Sequence, residues 1–179
     1  EIRYGVDLTT EDGQNDLWKY LKRYKPDVIV MAPPCKGFGP WVHLNRVIYP
    51  EAVRSARSSG IPLANLCAQI AEFQLECNNH FIIEQPRNST MFDLPKWKAL
   101  LPSLHIGFCD QCRFGLKDDH MVPLKKPTKF VSSDPQLIAH VRDKFCASDR
   151  FYGKVKSSSE VWPLRLCRSL ACGIADLIL

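Results

Sequence analysis

Cys35 follows a short apolar run, Val28-Ile29-Val30-Met31, and two consecutive prolines, Pro33 and Pro34. A cysteine thiolate is the most nucleophilic group a protein carries near neutral pH, so its placement decides whether covalent chemistry is open to the chain. The apolar run has the pattern of a strand covered on both faces, as in the middle of a parallel sheet. Two prolines, each with a fixed φ and no backbone donor, end sheet pairing and hold the next residue on a stiff arm beyond the strand's carboxyl end. In open α/β sheets ligands bind at that end. Gly37 and Gly39 follow, and their lack of side chains would let a substrate approach the backbone. The same residues also describe an ordinary half-buried thiol after a strand.

A second apolar strand, His80 to Ile83, runs into Glu84-Gln85-Pro86. Two adjacent parallel strands would bring Cys35 and Glu84 to one rim. Cys109-x-x-Cys112 has metal-ligand spacing, but there is no second close pair, and His120 and Cys146 complete a set only at irregular distances. A strand-end thiol pair is therefore expected, and no metal. Of the eight cysteines, Cys67, Cys77, Cys167 and Cys172 lie in apolar stretches that read as helix. They are expected to be reduced core residues of an intracellular protein, nuclear or cytoplasmic.

The elements that must position these residues alternate between helix and strand. Ile2 to Leu8 reads as a strand ending at Asp7, and Gln14 to Tyr24 as an amphipathic helix. Pro40 to Gly60 has no steady period and reads as a loop in which Trp41, His43, Asn45 and Arg46 could touch a ligand. Pro62 opens a helix through about Asn78. A short helix over Leu94 to Leu101 and strands over Leu104 to Asp110 and Lys126 to Val131 follow, then a helix over Asp134 to Phe145. Val161 to Leu179 reads as a closing helix with Pro163 in its first turn. The alternation predicts an α/β fold with a mostly parallel sheet and helices on both faces, in one domain spanning 1–179.

The 179 residues, 45% hydrophobic and 24% charged, have the composition of a soluble globular domain. No run approaches the length of a membrane span, and no signal-peptide pattern opens the chain. A chain beginning at Glu1 reads as an excerpt from a longer one. The formal net charge is +5, and residues 110–179 carry 12 Lys and Arg against 8 Asp and Glu. The basic residues of this half, from Arg113 to Lys129 and from Arg142 through Arg150, Lys154 and Lys156, could neutralise phosphates; a solvated surface would look the same.

Pro33-Pro34-Cys35-x-x-Phe38, followed after one helix by Phe81-Ile82-Ile83-Glu84-Gln85-Pro86, resembles the cytosine-5 DNA methyltransferases. Their signature is a Pro-Cys turn after one strand and a Glu-Asn dipeptide after the next. The wider pattern is similar to the diverged methyltransferase-like domains of some retroelement polyproteins: Asp110-Gln111-Cys112-x-Phe114-Gly115, Lys126-Pro127-Thr128 and Val161-Trp162-Pro163-x-x-Leu166-Cys167.

The resemblance implies a Rossmann-like domain that acts on DNA with S-adenosylmethionine as cofactor, set among other domains of a polyprotein. It begins at what would be the third strand, without the Gly-rich cofactor loop. Cys35 would be the thiolate that adds to cytosine C6, and Glu84 would hydrogen-bond the base at N3. Arg113, in a partial Gln-x-Arg-x-Arg element with Gln111, would contact the flipped base or its backbone. Pro34, Phe38, Gln85 and Gln111 would line the base, and Asp7 and Pro33 the cofactor. Gly39 stands where the family has Ser, and Gln85 where it has Asn. The alternative from another class is a catalytically inactive module that binds nucleic acid or supports its neighbours. A thiol enzyme pairing Cys35 with His43 or His80 is a third.

Overall fold

A computed structural model describes residues 5–146 and 161–179. The chain divides into two compact units, Glu1–Phe81 with Ser89–Ser103, and Ile82–Asn88 with Leu104–Leu179. Ile2, Arg150, Lys154 and Lys156 lie outside the described residues.

Of the strand expected over Ile2 to Leu8, residues 1–4 lie outside the described residues, and residues 5–8 form no strand but lead into a turn at Asp7. Asp7 Oδ1 accepts from the Thr9 N–H at 2.9 Å and the Thr9 hydroxyl at 2.7 Å. Helix α1 (Glu11–Tyr24) starts at Thr10, whose hydroxyl accepts the Gly13 N–H at 3.1 Å. Glu11 and Asp12 in its first turn and Lys22 and Arg23 in its last match the helix dipole. Lys25, in the left-handed conformation at φ 41°, ends it before Pro26.

Strand β1 (Val28–Met31) then lies beside the start of β2 (His80–Pro86). The His80 N–H donates to the Asp27 carbonyl at 2.7 Å. Fully buried Gln74 reinforces the pair, its Nε2 donating at 2.8 Å to the carbonyls of Pro26 and His80. Contrary to expectation, β1 is not covered on both faces: Val30 is 45% exposed and only Met31 is buried.

The expected loop over Pro40 to Gly60 is helical. Helix α2 (Val42–Ile48) carries His43, Asn45 and Arg46, with Trp41 at its N-terminal cap. Helix α3 (Pro50–Glu76) starts at Pro50, a residue pre-set for the first helical position, and continues through Pro62. Interior proline forfeits a helix hydrogen bond, so packing must hold α3 there. That packing is visible: Gly60, Ala64, Leu66, Ala68, Ile70 and Ala71 are all buried. Trp97 of α4 (Pro95–Leu100), itself fully buried, donates from Nε1 to the Ala64 carbonyl at 3.0 Å and meets the Phe92 ring edge-on at 5.5 Å.

The second unit holds the rest of β2, with β3 (His105–Asp110) and β4 (Pro127–Ser132). The strand order is β1-β2-β4-β3, and β4 runs antiparallel to both of its neighbours. Only β1 and β2 are parallel, so the fold is mixed α/β and the expected mostly parallel sheet is corrected. The reason lies in the connection from β3 to β4. It contains a 3-10 turn at Gln111–Phe114 and a left-handed Gly115 but no crossover helix, so the chain reverses.

The expected helix over Asp134 to Phe145 shrinks to a 3-10 turn at Gln136–Ile138, because Asp143 turns left-handed at φ 63°. The chain then runs alongside β3: the Asp143 N–H donates to Phe108 and the Asp110 N–H to Lys144, both at 2.9 Å. Helix α5 (Leu164–Ile178) packs Leu166 and Leu170 inward and starts after Pro163, close to expectation. No helix among the described residues is long and apolar enough to cross a membrane.

Because Trp97 both fills the first unit's core and satisfies its own indole donor, Trp97→Ala should cost about 3–5 kcal/mol in urea unfolding. Trp97→Phe, which keeps most of the volume and drops the hydrogen bond, should cost about 1–2 kcal/mol.

Candidate functional site

In the first unit, the Pro33-Pro34-Cys35 arm passes into a turn that the rest of the unit pins. The Cys35 carbonyl accepts the N–H groups of Phe38 at 2.9 Å and Gly39 at 2.8 Å. Phe38 is fully buried, and its own carbonyl accepts the Thr90 N–H at 2.9 Å. A Cβ on Gly60 would meet the Phe38 ring at 3.0 Å, and one on Gly37 would meet the Ala56 carbonyl oxygen at 2.9 Å. These two glycines let the turn and α3 lie backbone to backbone. Gly37 thus serves helix contact and not substrate approach. Arg57 closes the arrangement, donating to the Gly37 carbonyl at 3.3 Å with its guanidinium 5.2 Å from the Phe38 ring centre.

Cys35 itself is exposed and outside any disulfide. Pro34 is exposed, Pro33 half-buried, and Phe38 faces the core. The sequence pattern therefore builds a rigid turn that presents one thiol to solvent.

In the second unit, the register of β4 gathers a different group. Glu84 lies opposite Phe130, and Thr128 lies opposite both Pro86 and Cys109, so Glu84, Thr128, Phe130 and Cys109 share one face of the sheet. Glu84 is only 6% exposed. Gln111 Nε2 lies 3.5 Å from its Oε1 and 3.0 Å from Thr128 Oγ1, and Lys126 Nζ is 3.9 Å from Oε1. The Trp162 side chain also donates to Glu84, its ring edge-on to Phe130 at 6.1 Å.

Burial pushes the Glu84 pKa up, and the Lys126 charge and the Trp162 hydrogen bond offset this only in part. The site thus holds a carboxyl that keeps its proton longer than an exposed glutamate does. Gln85, one residue on, faces the opposite side of the sheet and is fully buried.

Arg113 stands apart from that cluster. It is exposed and lines a hollow of about 450 Å³ with Lys144, Arg165 and Arg168. Asp7 is half-buried, its Oδ1 committed to Thr9. The sequence placed Lys126 only among cations that could neutralise phosphates and gave no role to Thr128 or Trp162; the fold brings all three to Glu84 and its neighbours.

Cys112 pairs with Cys146 in a disulfide closing 34 residues, where reduced thiols were expected. The physical reason is the segment beside β3: the Cys146 N–H donates to Asp110 Oδ2 at 3.0 Å, which sets its sulfur next to Cys112. Cys109 points into the sheet core instead, its thiol pushed up to about 12, chiefly by burial. Cys67 is likewise pushed up to about 12, while Cys167 and Cys172 are exposed and not core residues. Asp110, Cys112 and Cys146 place ligand atoms within 4.8 Å of one another, a set available to a cation only after the two sulfurs separate.

Searches against protein-family models, curated proteins and solved structures found no match to this chain.

Two outcomes follow from these environments. Folded Glu84 binds its proton above the ordinary pKa of 4.5, so its contribution to stability is present below that value and is lost as pH rises through the folded pKa. Glu84→Gln should therefore gain stability relative to the parent protein as pH rises from 5 to 8 in urea unfolding; a pH-independent difference would contradict the raised pKa. Reducing Cys112–Cys146, which closes a 34-residue loop, should lower stability by up to about 4 kcal/mol. A non-reducing peptide map should recover the two cysteines in one linked fragment pair.

Proposed function

We propose that the chain is a DNA cytosine-5 methyltransferase-like domain in which Cys35 attacks the base and Glu84 supplies a proton to it. The observation that carries this reading is the buried, proton-retaining Glu84 within β2, backed by Gln111, Lys126 and Trp162. A carboxyl whose burial raises its pKa holds its proton to higher pH than an exposed glutamate, and in that protonated form it can donate to a ring nitrogen. The pinned, solvent-facing Cys35 supports the other half of the reading.

The electron flow is closed. Cys35 Sγ, as thiolate, forms a bond to C6; the C5–C6 π pair becomes a C4–C5 bond; the C4–N3 π pair moves to N3, which takes the Glu84 proton. C5 is now enamine-like. It accepts a proton from water and, on reversal, loses one of its two hydrogens while Sγ leaves and N3 returns its proton to Glu84. S-adenosylmethionine is the methyl donor that the reading calls for. Asp7, half-buried and tied to Thr9, shows neither a cradle nor an unsatisfied buried atom for the adenosyl group. The residues present do not fit that group, and no step here passes through it.

One observation favours the second reading, a module that holds nucleic acid without chemistry: the cationic hollow around Arg113 needs no reaction to explain it.

Exchange of the C5 hydrogen tests the reaction without any donor. DNA tritiated at cytosine C5 should release tritium to water in the presence of the protein. Release should vanish with Cys35→Ala and fall about 100-fold with Glu84→Gln. No release from the parent protein, or release that survives Cys35→Ala, would overturn the reading.

A further inference from the structure

Arg113, after β3, and Lys144, beside the end of that strand, face the first turns of α5 across the hollow of about 450 Å³ in the second unit. Arg165 and Arg168 stand three residues apart on α5 and therefore on one face of it, with Ser169 beside them. Among the described residues, four formal positive charges line this space and no carboxylate does. His140 also lines the hollow, and its Nε2 lies 2.6 Å from Asp176 Oδ2.

Four cations elsewhere have carboxylate partners: Lys19 with Asp16, Arg54 with Glu51, Arg142 with Asp143, Lys126 with Glu84. Among the described residues, none of the four around the hollow forms an ion pair. Their placement also runs against the helix dipole. Arg165 lies in the first turn of α5, which has no acidic residue and where positive charge is disfavoured. Mutual repulsion and an adverse dipole are tolerated together where a bound anion relieves both.

The kind of anion follows from exposure. All four cations are exposed, and the floor is the buried Phe114 ring. A site for a small free anion encloses its donors, whereas a polyanion that lies across a surface meets extended, solvated arginines and lysines. We propose that this hollow is where the second unit grips consecutive phosphates of a nucleic-acid backbone. The proposal rests on the nucleic-acid ligand named in both functional readings, and not on the Cys35 reaction. Arg113 is then a backbone-positioning residue.

The test is binding of a fluorescent 20-mer DNA, single- and double-stranded, by anisotropy between 50 and 200 mM salt. The double reversal Arg165→Glu with Arg168→Glu should weaken binding about tenfold or more and lower the slope of log K against log salt by about 2. The matched reversal Lys19→Glu with Lys22→Glu, also exposed and three residues apart but on α1, should leave the slope unchanged. Equal losses in both variants would mean only net charge is sensed, and would overturn the site. So would unchanged binding in the α5 variant. Inorganic phosphate forms a separate arm: saturable binding that the α5 variant loses while DNA binding persists would make the hollow a free-phosphate site and overturn the proposal. Cys35→Ala should bind DNA like the parent protein. If tritium release fails while the α5 dependence holds, the cytosine reaction falls and the phosphate site stands.

Discussion

Strand β4 is hydrogen-bonded along both edges, and its register decides which side chains of β2 and β3 can meet. The alternation of strand side chains makes this unforgiving: a slip of one residue would carry Thr128 and Phe130 to the opposite face and leave Glu84 against Lys129 and Val131. With the observed register, Glu84 gains an aromatic wall, a hydroxyl two rows away and the amide of Gln111. Gly107, opposite Phe130, leaves room on the neighbouring strand. The electrostatics of the site are thus a consequence of sheet pairing, and the glutamate's unusual proton affinity is a property of where β4 lies.

The two reactive groups are prepared by opposite physical means. Glu84 is changed by withdrawal from water, so its chemistry is set by what surrounds it. Cys35 is left in water and controlled through its backbone, where the turn's hydrogen bonds and the anchoring of Phe38 under α3 hold the residue in place. Cys67 and Cys109 show the alternative treatment of a thiol: burial pushes both up to about 12 and leaves them chemically silent at neutral pH. A chain with eight cysteines therefore has very few that behave as nucleophiles.

Local signals in the sequence placed most elements. The amphipathic α1, the strands over His80 to Ile83, Leu104 to Asp110 and Lys126 to Val131, and the closing helix after Pro163 all carry periodicity, caps or breakers that need no distant partner. What was missed depends on long-range packing. Pro62 reads as a helix start, yet the buried face from Gly60 to Ala71 carries α3 through it. Asp134 to Phe145 has helical composition, but pairing with the end of β3 draws the chain off at Asp143. Strand direction was equally hidden, since an apolar run looks the same in a parallel and an antiparallel pair. For the site, Cys35 was readable as a residue beyond a strand's end, whereas Glu84, expected just after its strand, lies inside β2, which runs on to Pro86 through pairing with β4. The company of Glu84 was not readable, because Lys126 and Thr128 come from around the start of β4 and Trp162 from the approach to α5, and only the fold brings them together.

The proton held by Glu84 is also a stoichiometric participant in folding. Between the carboxyl's ordinary pKa and its raised folded one, the unfolded chain releases the proton and the folded chain takes it up from solution. The enthalpy of folding therefore contains the ionisation heat of whichever buffer donates that proton. A calorimetric enthalpy for this chain has meaning only with its buffer named, and comparing buffers of different ionisation heat would count the protons that the fold consumes.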